Sequence, residues 1–182
     1  GSVMLMRFVL IASLMFVANF SYGGDYVYSE FLVSVPDTFD RPIVRAAQGG
    51  KVWGFAKQRP DTETAGLFQI TIYDFGETFP EISPNEIEDA MDQYLLEFLS
   101  GVERRRTNFS IGAIFNSKIG DRPSRAIDWK GTVGGKETQG RMFVTIVGSS
   151  VVSLHIQDVA QYFADTMAEL SDSLLTMQLN GI

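Results

Sequence analysis

The chain has 182 residues, 45% of them hydrophobic, which is enough to bury the core of one domain but leaves no room for a second full domain. Its 22 acidic and 15 basic side chains give a formal net charge of -7, and an acidic surface disfavours binding to the phosphate backbone of nucleic acids. The chain has no cysteine, which excludes disulfides, thiolate metal sites, a cysteine nucleophile and a lipid-modified N-terminal cysteine.

The first 23 residues have the composition of a segment that is removed from the mature protein. Residues 1–2 (Gly-Ser) have the form of an expression scar, and residues 4–23 have the build of a secretory signal peptide. One positive charge, Arg7, precedes an apolar run over residues 8–20, and small residues follow at the positions that a cleavage site needs.

Two alternatives remain open for this segment. Its apolar run is shorter than the roughly 20 residues of a membrane-spanning helix, so a membrane anchor is the weaker interpretation. The run could also be a helix of the core or of an oligomer. We expect cleavage after Gly23, with residues 24–182 forming a single domain that contacts a membrane only if the segment stays uncleaved.

Strand patterns dominate the first part of that domain. Apolar and polar residues alternate over residues 26–35, which predicts a strand that ends at Pro36 with Phe31, Val33 and Val35 on one face. Residues 52–57 and 67–75 predict two more strands, joined by a polar hairpin loop over residues 59–64.

The first helix is predicted from residue 83 onwards. Ser83 and Glu86 are spaced as a capping box, and Pro84 suits the first helical position. The helix ends at Gly101, or it continues into residues 103–106 (Glu-Arg-Arg-Arg) and places cations at its negative end. Its predicted core stripe is Ile87, Met91, Tyr94, Phe98 and Val102.

From residue 111 onwards apolar residues again recur at every second position, which predicts strands. Turns are predicted at residues 120–123 and 134–139, and the best-patterned unit is a hairpin over residues 140–157 that turns at residues 148–150. Inward positions are predicted for Ile111, Ala113, Phe115, Ile127, Trp129, Val133, Val152, Leu154 and Ile156, and outward positions for Ser153, His155 and Gln157.

A second helix follows the hairpin directly. Asp158 and Gln161 are spaced as a weaker capping pair, and the apolar stripe contains Phe163, Met167, Leu170 and Leu174. Acidic Asp165, Glu169 and Asp172 are predicted to face solvent. The fold class is therefore α+β, an antiparallel β-sheet with helices packed on one face.

Three segments are characteristic as a set: SRAIDWKG at residues 124–131, GRMFVTIVG at 140–148 and VSLHI at 152–156. Together with the final helix and the opening strand that ends at Pro36, they resemble the Mog1/PsbP-like superfamily of small α/β domains. The resemblance covers most of residues 26–179 and implies an α/β sandwich. Its members are adaptor or assembly subunits or uncharacterised exported bacterial proteins, and it assigns no functional residue to this chain.

No residue pattern predicts catalysis. The only histidine, His155, lies on a predicted wet strand face without a nucleophile or an orienting partner, and no phosphate-binding, zinc-protease, hydrolase or calcium-loop motif is present. The carboxylates that lie close in sequence are read as solvated surface: Asp37 with Asp40, Glu86 with Glu88 and Asp89, and Asp165 with Glu169.

The basic cluster at residues 103–106 has two interpretations. It could dock an acidic partner or a lipid headgroup, or it could simply cap the helix end, which we favour. The sequence thus predicts no catalytic, cofactor-binding or metal-binding residue and no cofactor.

We expect a periplasmic or secreted, non-catalytic adaptor-type domain that binds a protein partner and no nucleic acid. An oligomer is compatible with this expectation. The alternative is a carrier of a small ligand or lipid, held in a pocket between the sheet and the helices. An enzyme that uses carboxylates is a third and less favoured hypothesis.

Overall fold

The computed structural model describes residues 24–47, 49–59 and 64–180, so the expected signal peptide lies outside the described residues. The strands are β1 (Gly24–Val27), β2 (Phe31–Val35), β3 (Ile43–Ala47), β4 (Gly50–Lys57), β5 (Gly66–Asp74), β6 (Thr107–Ile111), β7 (Phe115–Ile119), β8 (Arg122–Val133), β9 (Lys136–Val147), β10 (Ser150–Val159) and β11 (Gln178–Leu179). The helices are α1 (Ile87–Glu103), α2 (Ala160–Glu169) and α3 (Ser171–Thr176).

Eight of these strands form one antiparallel sheet. Its order is β3-β4-β5-β10-β9-β8-β6, and β7 also pairs with β8. A smaller sheet has the order β1-β2-β11. The predicted α+β class, an antiparallel sheet with helices packed on it, is confirmed. In the part of the chain that the structure describes, no helix has the length and apolar content needed to cross a bilayer.

The large sheet is covered on both of its faces. Met91, Leu95 and Leu99 of α1 pack on one face, against Ile127, Trp129, Met142, Val144 and Val151. The small sheet, α2 and α3 cover the other face, where the core includes Phe31, Trp53, Phe68, Leu154 and Leu170. The prediction that the helices share one face is therefore wrong, because it considered only one apolar face per strand.

Central strands between two covered faces are buried along nearly their whole length. In β10 every residue from Ser150 to Ile156 is buried. Val152, Leu154 and Ile156 lie on the face predicted to be inward, but Ser153 and His155 are buried too, on the α1 side. The prediction of a wet face for His155 is wrong for this reason.

Two other strand predictions change at the edges of the sheets. Residues 26–35 form the β1–β2 hairpin rather than one strand, closed by the amide of Tyr28 donating to the carbonyl of Phe31 at 2.9 Å. Phe31, Val33 and Val35 are buried as predicted, whereas Ile111 is 50% and Val133 42% exposed. Both exposed residues are the last residues of their strands.

Neither predicted capping pair forms through its side chains. Residues Pro84–Glu86 form a 3-10 turn before α1, and Ser83 makes no side-chain cap bond. Asp158 belongs to the end of β10 and is used in an ion pair. The buried stripe of α1 is Met91, Leu95 and Leu99, while Ile87 is 37% exposed, so the helix is rotated relative to the predicted stripe.

Two glycines permit close approaches. A Cβ atom on Gly140 would overlap the indole of Trp129 on the neighbouring strand. Gly120 adopts φ +60°, and a Cβ there would collide with the carbonyl of Met177, while its amide donates to the carbonyl of Leu174 at 2.7 Å. The β7–β8 turn is thereby fastened to α3.

Candidate functional site

His155 is a structural residue at the centre of the α1 side of the sheet. The indole Nε1 of Trp129 donates to its Nε2 at 3.0 Å. Burial, reinforced by the charge of Arg106, lowers the pKa of His155 to about 3, so the ring is neutral at ordinary pH. The ring is buried and its Nε2 already accepts a hydrogen bond from the indole, so it is not placed to take a proton from a substrate.

The basic cluster at residues 103–106 divides into two parts. Arg104 and Arg105 are exposed. The guanidinium of Arg106 lies over the Trp129 ring at 4.5 Å and donates to the Val102 carbonyl at 3.0 Å and to Gln157 at 2.6 Å. The helix-end interpretation is confirmed for Arg106, because its cation meets a carbonyl of the last turn of α1.

A small cavity of about 210 Å³ lies beside Arg106. Its apolar wall includes Leu67, Val133 and Val159, and Thr138 and Asp158 are among its polar lining residues. Burial and then the charge of Arg105 lower the pKa of Arg106. No carboxylate within the described ranges forms an ion pair with it, so this cation is held by neutral groups.

Several carboxylates form ion pairs instead of remaining as free surface charge. Asp158, whose side chain is fully buried, forms a bidentate pair with Arg59 and accepts from Thr166 at 2.6 Å. Burial disfavours the charged form of Glu169, but bonds from Lys57 and Thr38 outweigh it and hold the pKa of that carboxyl low. The prediction that Glu169 faces solvent is therefore wrong, since it joins α2 to β4.

A large concave surface lies where the loop after β5 meets the start of α1. Two concavities of about 810 Å³ and 650 Å³ share a wall made by Pro80, Glu81, Ile82 and Glu86. We call the combined surface the α1 groove. Its sides are residues 76–83, residues 86–97 and the β9–β10 turn.

Hydrogen bonds hold the loop that forms one side of the α1 groove. The amide of Phe75 donates to the Ser149 carbonyl at 3.1 Å, which joins the loop to the β9–β10 turn. Asp74 accepts from the Gly76 amide at 2.9 Å and from the Ser149 hydroxyl at 3.3 Å. Thr78 donates to the Phe75 carbonyl at 2.6 Å. The groove is therefore formed before any partner arrives.

Apolar side chains form the floor of the α1 groove. Phe79, Ile82, Ile87 and Ile146 line the larger concavity, and Tyr94 lines the smaller one. Behind them a row of rings runs from the sheet to the groove. The ring centroids are 5.1 Å apart for Tyr73 and Phe98, 6.1 Å for Phe98 and Tyr94, 6.2 Å for Tyr94 and Phe75, and 5.8 Å for Phe75 and Phe79.

Acidic side chains form the rim of the α1 groove. They are Glu77, Glu81, Glu86, Asp89 and Glu97. No Lys, Arg or His lines either concavity, and none of these carboxylates takes part in an ion pair within the described part of the chain. The groove thus combines an apolar aromatic floor with a rim of one charge sign.

Sequence reasoning did not find this groove. Glu86 and Asp89 were predicted to be solvated surface, which is correct as far as exposure goes. The available signal was the segment over residues 75–82 (FGETFPEI), where apolar and acidic residues are interleaved outside any helix or strand pattern. Within the described residues, no group of three or more potential ligand side chains is arranged to hold a metal.

Comparison with known proteins identifies the fold. No family model matches the chain, and no curated protein matches it. LpqN of Mycobacterium tuberculosis, described as involved in cell envelope biogenesis, is similar over 90% of this chain and 93% of its own, at 12% identity and a TM-score of 0.60.

Two further solved structures are similar over nearly their whole length. The cyanobacterial PsbP protein CyanoP of Synechocystis matches 88% of this chain and 94% of its own, at 10% identity and a TM-score of 0.60. A Pseudomonas aeruginosa protein of unknown function, described as a putative regulator, matches 88% and 99% at 11% identity and a TM-score of 0.52. The resemblance found in the sequence is confirmed at the level of architecture: the chain has a PsbP/Mog1-like fold.

Proposed function

We propose that this protein is an extracytoplasmic, non-catalytic adaptor domain that binds a protein partner in the α1 groove. The observation that carries the proposal is the groove itself. It is large, it is held open by the bonds between the loop after β5 and the β9–β10 turn, and its floor exposes apolar side chains such as Ile87, which is 37% exposed. Preformed apolar concavities are where proteins bind other molecules.

The location outside the cytoplasm is supported by two independent observations. Residues 4–23 have the build of a signal peptide. LpqN, which has a similar fold, is described as involved in cell envelope biogenesis. A similar fold at 12% identity is an analogy and carries no residue from one protein to the other.

A catalytic role has little support in the described side chains. The only histidine is buried and bonded to Trp129. The carboxylates of the groove lie on an open rim rather than facing each other across an enclosed cleft.

Site-specific cross-linking in the native cell envelope tests the proposal. Ile87→benzoylphenylalanine places a photoreactive group in the α1 groove, and Leu175→benzoylphenylalanine places one on α3, where the native side chain is 69% exposed. We expect one discrete protein adduct from the Ile87 position and none from the Leu175 position. No adduct from Ile87, or the same adduct from both positions, would refute the proposal.

The second candidate function, a carrier of a small ligand, is favoured by one observation. The cavity beside Arg106 combines apolar walls with a half-buried cation that forms no ion pair in the described chain, while the Asp158 carboxylate on the same lining is paired with Arg59. A short-chain carboxylate is the chemistry that such a pair of features recognises. Thermal unfolding of the full chain with millimolar butanoate or hexanoate should show a rise in Tm that Arg106→Met abolishes, and no rise with any short carboxylate would eliminate this candidate.

A further inference from the structure

The rim of the α1 groove restricts the chemistry of its partner. The lining contains five carboxylates and no basic side chain. Like charges around one concavity repel each other, and this repulsion is relieved when a cation enters. An acidic partner segment would increase it. The field of the groove therefore selects positive segments over negative ones.

Other carboxylates of the molecule already have cationic partners. Asp92 and Glu88 of α1 contact Arg125 and do not line either concavity, and Asp128 contacts Arg141 on the sheet. Glu86 and Asp89 lie within three residues of the Arg125 partners but form no ion pair with it, although, besides the hydrogen bond to Asp92, the charge of Asp89 also helps to raise the pKa of Arg125. In the described part of the chain, the helix thus forms its ion pairs through Glu88 and Asp92, and none of its carboxylates along the groove is in an ion pair.

The aromatic floor is a second, independent indication of a cationic partner. Phe79 and Tyr94 line the two concavities, and Phe75, which is packed between them, is 37% exposed. The face of an aromatic ring attracts ammonium and guanidinium groups. In the described part of the chain no Lys or Arg lies over these three rings. Rings next to carboxylates have the composition of a site for lysine or arginine side chains.

The shape of the groove adds an apolar requirement. The concavity beside Ile87 and Ile146 is bounded by Phe79 and Ile82 and has a volume of about 810 Å³, which accommodates a large aliphatic or aromatic side chain. The Pro80–Ile82 wall separates it from the second concavity, where Asp89 and Glu97 lie on α1. One apolar anchor and flanking cations would occupy both parts at once.

We propose that the segment bound in the α1 groove is a cationic stretch of the partner protein, with lysine or arginine side chains on either side of one apolar anchor. This inference rests on the proposed function and specifies the chemistry of the partner. The attraction between the rim carboxylates and the partner's cations should contribute mainly to the rate and specificity of association, because rim charges steer an approaching partner.

Three labelled peptides of about ten residues test the inference with the full chain. All carry one central leucine in a glycine-serine background, flanked by lysines, by glutamines or by glutamates. We expect the lysine peptide to bind at least about tenfold more tightly than the glutamine peptide in low salt, and the glutamate peptide not to bind. Raising the salt concentration from about 0.05 M to about 0.5 M should remove most of that difference.

Matched variants separate a local effect from net charge. The double substitution Glu81→Gln and Glu86→Gln should weaken binding of the lysine peptide about fivefold. Asp165→Asn with Asp172→Asn makes the same change in charge at exposed positions of α2 and α3, on the other face of the sheet, and should leave the affinity unchanged within about twofold. Equal losses in the two double variants, or equal binding of the lysine and glutamine peptides, would overturn the inference.

The cross-linked partner distinguishes this inference from the proposed function. An adduct at Ile87 whose yield falls in the Glu81→Gln, Glu86→Gln background supports both. An adduct whose yield does not change leaves the adaptor function standing and rejects the cationic segment. No adduct at Ile87 rejects the function, and binding of the lysine peptide would then show only the affinity of an acidic groove for a cation.

Discussion

Replacing the buried imidazole by an amide should make the protein more resistant to acid. His155 has a pKa of about 3 in the folded protein because of burial and Arg106, against roughly 6.5 in an unfolded chain. Between these pH values the imidazole is protonated in the unfolded state but not in the folded state. The free energy of unfolding therefore decreases as the pH falls from about 6.5 towards 3. Between pH 7 and pH 4 the loss from this one residue is about 3 kcal/mol.

His155→Gln isolates that contribution. The Gln carbonyl can accept from Trp129 in place of Nε2, but it does not titrate. Urea unfolding of the two proteins at both pH values is the assay, and the difference between their free energies of unfolding should move by about 3 kcal/mol in favour of the variant at pH 4. Other titrating groups cancel in this difference. Parallel pH dependences would refute the account of His155 as a buried neutral acceptor.

The remaining predictions concern stability and use matched controls. Asp158→Ala removes one partner of a buried ion pair and should cost about 3 kcal/mol in urea unfolding, whereas Asp128→Ala, at a half-exposed pair, should cost less than about 1 kcal/mol; equal costs would contradict the burial argument. Gly140→Ala forces a methyl group into an indole and should cost about 2 kcal/mol, while Gly54→Ala, with no side chain or backbone atom closer than 3.9 Å, should unfold like the wild type in the same titration. Leu95 of α1 is fully buried against the sheet; Leu95→Ala should cost about 3 kcal/mol, and a cost below about 1 kcal/mol would argue against the packing of α1 on the sheet.

Much of the sheet could be predicted because its strands obey local rules. Strands β4 and β5, predicted with a polar loop between them, and the β9–β10 hairpin, predicted with a glycine turn, have clear apolar periods, and the structure pairs them as predicted. The two helices also begin close to their predicted positions. These features depend on residues near in sequence, whose spacing alone carries the information.

The features that were predicted wrongly or missed depend on contacts between residues that are distant in the sequence. Covering both faces of β10 buries His155 and Ser153, and no period within the strand reveals a second covering layer. Strand β3 was missed because Ile43 is 75% and Val44 42% exposed at a sheet edge, so its side chains carry no burial pattern. The α1 groove depends on a loop fastened to the β9–β10 turn more than 60 residues away in the chain, which makes it a property of the fold rather than of a motif.

The most direct test of the central claim is to map the binding face on the full chain. Amide hydrogen exchange should be measured with and without the purified partner that the Ile87 cross-link identifies. The account predicts slower exchange in residues 76–94 and in the β9–β10 turn, with residues 160–176 unchanged. Protection confined to α2 and α3, or none around the α1 groove, would contradict it.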